Sequence, residues 1–277
     1  MLAMAGTRSA GELWFGVELL AARETDPDLL QLARERVAWL LRLAPAPAEP
    51  SDERLQAVSA FADQFVIDVA GITPEQRTAL LTALGTDALG FVQALYVVDL
   101  GTRRAVLRPR LVDGVDDAPV EPEPEATLWS AIEAFMRTVA RLDALDPLTS
   151  ELVRLRGAAM HNCRLCRSRR SAEATDLAPE LDLLAVAERF EHADIDERAR
   201  VALRLTDVML SQPTELPARA VTAARARFTA VELDELLFDV VRNAANKIAV
   251  AFGADAPQVT DGVELFTLDA AGEVVTG

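Results

Sequence analysis

Apolar residues recur at three- and four-residue spacing along nearly the whole chain, with Ala, Leu, Arg and Glu dominating. That spacing is the helical period, and these residues are good helix formers. The pattern predicts helices over 9–23, 27–43, 52–70, 74–84, 86–107, 127–142, 146–161, 163–174, 179–190, 196–210, 215–228 and 230–252. Start signals agree. Ser51-Asp52-Glu53 and Asp194-Ile195-Asp196-Glu197 set short polar side chains and acids at helix N-termini. Thr73-Pro74 and Leu216-Pro217 set proline near a first turn. The tail reads differently: residues 262–268 alternate, 269–273 are turn-like and 274–276 alternate again, which predicts a small β-hairpin. The predicted fold class is all-α with a short C-terminal β-hairpin.

Two proline-rich breaks interrupt the helical pattern. Pro45-Ala46-Pro47-Ala48-Glu49-Pro50 reads as a short stiff linker, and residues 109–125, with Pro109, Pro119, Pro122 and Pro124 among acids, read as the best domain boundary. The chain also repeats itself across that boundary. An offset of 144 carries Asp52-Glu53-Arg54 onto Asp196-Glu197-Arg198, Asp63 onto Asp207, Leu89 onto Leu233 and Arg103 onto Lys247, without a gap. Upstream the offset is 120: Asp26-Pro27 falls on Asp146-Pro147, and Arg34 and Arg36 fall on Arg154 and Arg156. Trp14 and Trp129 open the two copies. So long a register favours duplication over chance similarity between Ala/Leu/Arg-rich helices. The expected organisation is a first repeat at 1–110, a linker at 111–125, a second repeat at 126–255 and an extension at 256–277. The change of offset from 120 to 144 means that the first copy lacks about 24 residues, and the missing stretch corresponds to the one holding both cysteines.

Composition narrows the class. The chain has 277 residues, 51% hydrophobic and 26% charged, which is enough apolar content to bury a core. A formal net charge of −16 argues against nucleic acid and against an anionic membrane surface as partners. No run of about 18 apolar residues predicts a membrane span, and no secretory signal is evident at the N-terminus. A lone C-x-x-C without such a signal predicts a cytoplasmic protein with redox or metal chemistry. The 27 arginines against a single lysine, Lys247, reflect compositional bias and point to no function.

The candidate chemistry lies between Glu151 and Arg170. A helix carries Glu151 to about His161, Asn162 breaks it, and a second helix begins at Cys163. A C-x-x-C at a helix N-terminus has unpaired N–H groups that favour a thiolate. Cys163 and Cys166 stand one turn apart, able to form a disulfide, and Arg170, four residues beyond Cys166, shares its helical face. Other readings stand beside this one. The cysteines are small hydrophobes in a core; a zinc ion is held by two cysteines, His161 and a carboxylate; His161 is an ordinary helix-end cap, the reading preferred here over a proton carrier. Arg154, Arg156, Arg164, Arg167, Arg169 and Arg170 form the only basic cluster, which either attracts an anionic substrate or acidic partner or is a solvated, ion-paired face.

This stretch and the helices after it resemble the carboxymuconolactone decarboxylase-like superfamily, in its alkylhydroperoxidase (AhpD-like) branch. The family pattern is a glutamate, eleven residues, C-x-x-C, three residues and a histidine, and Glu151, Cys163 and Cys166 match its first three positions. Asn246-Lys247-Ile248-Ala249-Val250 looks like the Asn-Arg element of its later helix. The resemblance covers 127–253, and the repeat extends it to 9–109. It implies two AhpD-like helical repeats related by a pseudo-twofold. It also implies a thiol oxidoreductase that reduces hydroperoxides or disulfides, with Cys166 attacking, Cys163 resolving and Glu151 relaying protons. No bound cofactor is implied; electrons come from a lipoyl-type or other dithiol partner. Arg170 stands at the histidine position and cannot shuttle a proton near neutral pH. The alternative is a divergent member acting as a structural or redox-sensing module, and lactone decarboxylase chemistry ranks below both. Gln31 stands where the second copy has Glu151, so the first copy is expected to be inert. Single-repeat relatives are trimers or hexamers, which implies a closed homo-oligomer here, a trimer most simply and a dimer as the alternative.

Overall fold

A computed structural model of the chain describes residues 8–114 and 119–276. It is mostly helical, with one small three-stranded sheet. The first half comprises α1 (Ala10–Glu24), α2 (Pro27–Leu40), α3 (Glu53–Asp68), α4 (Pro74–Leu84) and α5 (Ala88–Leu111). Caps define their starts: Ser9 with Glu12 and Thr73 with Gln76 close reciprocal capping boxes, while Asp26 and Asp52 accept first-turn N–H groups. Gly85, at φ +56°, separates α4 from α5. An 18-residue window within 74–111 has the apolar content of a membrane span, yet half of it is buried inside the protein. The predicted linker begins later than expected, because α5 continues through Pro109 to Leu111.

The second half comprises α6 (Leu128–Val139), α7 (Pro147–Met160), α8 (Arg164–Arg167), α9 (Ala172–Leu177), α10 (Leu183–Glu188), α11 (Glu197–Leu210), α12 (Ala218–Arg225), α13 (Ala230–Ala244) and α14 (Asn246–Ala251). Two predicted helices are corrected. The one over 163–174 is a single turn, α8, followed by strand β1 (Arg169–Ser171) and then α9. The one over 230–252 breaks at Ala245, where the backbone tightens to i→i−3 bonds from Ala245 to Arg242 and from Ile248 to Ala245. The sheet runs β1–β2–β3, with β2 (Glu264–Leu268) parallel to β1 and antiparallel to β3 (Val274–Thr276). The register sets Arg170 opposite Leu265 and Leu268 opposite Val274.

One core joins both sides of the proline-rich segment. α1 packs on α6 and α5 on α13, while α2 and α7 each sit against the long helix of their own half. Trp14 meets Tyr96 edge-on at 6.1 Å and Phe135 at 4.9 Å, and Phe135 reaches Phe238 at 5.8 Å, so one run of aromatic rings crosses from the first half to the second. Tyr96 donates its hydroxyl to Val241 O at 2.9 Å. Beside it lies a buried ionic cluster: Asp99 pairs with Arg103 and with Lys247, each at 2.5 Å. Burial works to raise the Asp99 carboxyl, and the two cations outweigh it and hold it low. Arg103 also donates to Val66 O, Met209 O and Ser211 O.

Candidate active site

The site begins where α7 ends. His161 is the C-cap and Asn162 turns left-handed at φ +47°, a conformation asparagine tolerates better than most residues. Asn162 N donates to Ala159 O and Cys163 N to Ala158 O, so the turn closes and the chain enters α8. Cys163 and Cys166 are joined as a disulfide with Cα atoms 5.3 Å apart. Cys163 is 1% exposed, whereas Cys166 is half-buried and lines a cleft of about 420 Å³. With a helix of one turn there is little macrodipole. What remains of the expected thiolate support is one direct bond, from Cys166 N to Cys163 Sγ at 3.2 Å.

Glu151 is buried but turned to another task. Its two oxygens accept from Arg154 Nε and Nη2, both at 2.7 Å, and Oε1 also accepts from Ser171 N at 3.1 Å. Arg154 spends its remaining donors on Cys166 O at 3.0 Å and Arg169 O at 2.7 Å. The pair thus clips α7 to the backbone of the cysteine loop and of β1. Arg170 does not share a helical face with Cys166, because α8 stops at Arg167 and Arg170 lies in β1. Its guanidinium donates to Arg167 O and Arg169 O at 2.7 Å, and burial and then Arg154 lower its pKa.

His161 is linked to Cys166 through one intervening side chain, Asn246. Its Nδ1 lies 2.9 Å from Asn246 Oδ1, which only accepts, so that nitrogen carries the proton. Asn246 Nδ2 donates to Cys166 Sγ at 3.5 Å. Burial, followed by the charge of Lys247, pushes the imidazole down to about 3, so His161 is neutral at physiological pH. The break at Ala245 lies immediately before Asn246, at the start of α14.

The basic cluster is largely consumed internally. Arg156 pairs with Asp207, Arg164 with Asp255, Arg167 with Glu188 and Arg169 with Glu264. The cleft instead draws residues that the sequence reading passed over. Trp129, Glu133, Met136 and Arg137 come from α6, Arg242 and Asn243 from α13, and Phe266 and Gly272–Val274 from the C-terminal strands. Gly272 lies so close to Arg137 O that a Cβ would stand 2.3 Å from it, and Glu273 pairs with Arg137 at 2.7 Å. The only sequence signal for this wall was the alternation of the tail, which says nothing about where the strands dock. Among the described residues, no group of three or more His, Cys, Asp or Glu side chains converges as a metal site.

Comparison with known proteins yields relatives of nearly the same length. Two Mycobacterium tuberculosis proteins, named Uncharacterized protein Rv2313c and Uncharacterized protein MT2376, are each 41% identical over 271 residues, covering 94% of this chain and 95% of theirs. The chain belongs to their family. No family model matches the chain, and no solved structure matches it.

Proposed function

We propose that the chain is a thiol-dependent oxidoreductase of alkylhydroperoxidase-like type, with Cys166 as the attacking thiol and Cys163 as the resolving one. The observation that carries this is the asymmetry of the pair: Cys166 borders the cleft and accepts from Asn246, while Cys163 is sealed behind it. A donor to the sulfur favours its thiolate. In the reduced protein the Cys166 thiolate attacks a hydroperoxide; the O–O bond breaks, an alcohol leaves with a proton from water, and Cys166 becomes a sulfenic acid. Cys163 displaces water from it and forms the disulfide. A dithiol, of lipoyl or other type, returns two electrons by exchange. Glu151 and Arg170 are positioning residues here rather than a relay, since both are bound to Arg154 or to backbone carbonyls. The test is hydroperoxide consumption by the reduced protein with a dithiol regenerant, together with thiolate titration. Unreactive thiols of ordinary pKa favour the second reading, a redox-sensing or structural module, which the missing relay supports.

We further infer two AhpD-like repeats related by a pseudo-twofold, the first degenerate, with β2 and β3 as an appended hairpin. Matching contacts support it. Arg36–Asp63 and Arg156–Asp207 are bidentate pairs at equivalent positions, and Arg54 to Ala83 O matches Arg198 to Arg227 O. The 3-10 turns at Val69–Gly71 and Pro213–Glu215 differ by the same offset of 144. On this reading the α1–α6 and α5–α13 contacts are those a single-repeat relative makes between subunits, and three chains close as a homotrimer. Light scattering tests it; a 30 kDa monomer overturns the assembly.

A further inference from the structure

Four cations, Arg137, Arg154, Arg169 and Arg242, line the Cys166 cleft against two carboxylates, Glu133 and Glu273. On a chain of net charge −16 this is a local reversal of sign. Three of the four are committed: Arg137 to Glu273, Arg154 to Glu151 and Arg169 to Glu264. The Arg242 guanidinium makes no hydrogen bond or ion pair to any described residue; it feels Asp239, Arg154 and Glu151 only at longer range. Its neighbour Asn243 also lines the cleft and has a buried Nδ2 without a partner. A guanidinium and an amide with unspent donors, both lining one cleft, offer the kind of N–H groups that a carboxylate accepts from in pairs. A buried donor such as Asn243 Nδ2 is costly to leave unpaired, and no described side chain accepts from it or from Arg242, so an acceptor from outside the chain would serve both. The rest of the lining, Trp129, Met136, Leu165, Phe266 and Val274, is apolar.

We propose that the cleft binds a small carboxylate with an apolar body, its carboxylate held by Arg242 and Asn243 and its apolar part against Trp129 and Met136. Resting on the thiol-peroxidase reading, this makes the substrate a carboxylate-bearing organic hydroperoxide. The spacing suits one. Asn246 touches Cys166 Sγ, and Arg242 stands four residues earlier, just before the break at Ala245, with both side chains lining the same cleft. A short spacer therefore brings a distal O–O group to Cys166 while the carboxylate stays at Arg242.

Binding can be read without turnover, on the oxidised protein, using para-isopropylbenzoate and its methyl ester as inert probes. Calorimetry, with Trp129 fluorescence as a second readout, should show the carboxylate binding roughly 10- to 100-fold more tightly than the ester. Arg242→Met should erase the preference with the circular dichroism spectrum intact, Arg242→Lys should retain part of it, and Asn243→Leu should reduce it by up to ~10-fold. Equal binding of the two probes to wild type, or a preference that survives Arg242→Met, overturns the proposal. The function is tested separately with cumene hydroperoxide and its para-carboxylated analogue on the reduced protein. Consumption of both without preference removes the carboxylate site and leaves the peroxidase. Arg242-dependent probe binding without consumption of either leaves the site and removes the peroxidase.

Discussion

The α2 and α7 helices end in the same way and lead to opposite outcomes. Each closes with a residue of positive φ, Arg42 at +59° and Asn162 at +47°, and with a bond from the next residue back to Ala38 O or Ala158 O. That next residue is Leu43 in one half, 46% exposed and leading into prolines; in the other it is Cys163, buried and opening the cysteine loop. The contrast continues inward. His161 stands where the first half has Leu41, and Asp239 where it has Leu95, both of them buried leucines. At these two positions the first half has hydrocarbon and serves as a support. The second places ionisable groups on the same scaffold and leaves a cleft. The helix caps and the Arg–Asp pairs around these positions are alike in the two halves.

The largest effect that would sharpen this contrast is at the sulfurs. Cys166→Ser should abolish single-turnover hydroperoxide consumption, whereas Cys163→Ser should still react once and stop as a sulfenic acid or mixed disulfide, visible by mass spectrometry. Equal rates in wild type and Cys166→Ser would remove the assignment.

Next is the ionic cluster. Asp99 pairs with both Arg103 and Lys247, and Asn243 is its counterpart in the second half. Asp99→Asn leaves two buried cations without their carboxylate and should cost about 3–5 kcal/mol in denaturant unfolding. Asn243→Leu removes an amide with an unpartnered donor and should change stability by less than about 1 kcal/mol. Similar costs would mean that the halves are not divided into support and site.

A third test uses pH. Burial lifts the Asp239 carboxyl to about 7, against the opposing pull of Arg242. The folded state therefore holds a proton that the unfolded state loses near 4, and this contribution to stability fades as pH rises from about 4 to 7. His161, pushed down to about 3, acts with the opposite sign: its contribution is present above 6.5 and fades as pH falls. Between about 4 and 6.5 the two slopes offset each other. Asp239→Asn removes one of them, so over that range the stability of wild type relative to the variant should fall by about 1.4 kcal/mol per pH unit. A difference independent of pH would show that Asp239 titrates normally.

The smallest effect is at Arg170. Because its side chain caps two carbonyls instead of facing Cys166, Arg170→His should lower stability by about 1 kcal/mol and leave peroxide turnover no higher than wild type. A gain in turnover would restore the relay reading.

Local chemistry was legible in the sequence wherever one segment determines its own conformation. Asp52, Thr73 and Asp196 announced helix starts that the structure has, each accepting from its own first turn. Arg169-Arg170-Ser171 could not be read as a strand, since nothing in those residues favours one; β2, almost a hundred residues later, imposes it by pairing. The partner of Cys166 was hidden for the same reason. Asn246 lies 80 residues from the sulfur it touches, and only the fold brings them together. Glu151 was found by its spacing, but spacing does not reveal that Arg154, three residues on, takes both of its oxygens.

Arg103 carries a consequence for how the chain reaches this state. Its guanidinium is satisfied by carbonyls 37, 106 and 108 residues away and by Asp99, whose second cation lies 148 residues on. Asp99 lies on α5 itself and Val66 on α3, but the Met209 and Ser211 carbonyls and the Lys247 ammonium reach the cluster only once α5 has met α11 and α14, and closing such loops is slow. A buried charge that is paired only at the end of folding acts as a gate: collapse with α11 or α14 in the wrong register strands a cation in hydrocarbon and is rejected. Folding should therefore be selective at its last step. Asp99→Asn should accelerate unfolding far more than it slows refolding in stopped-flow experiments, the signature of a contact absent from the transition state.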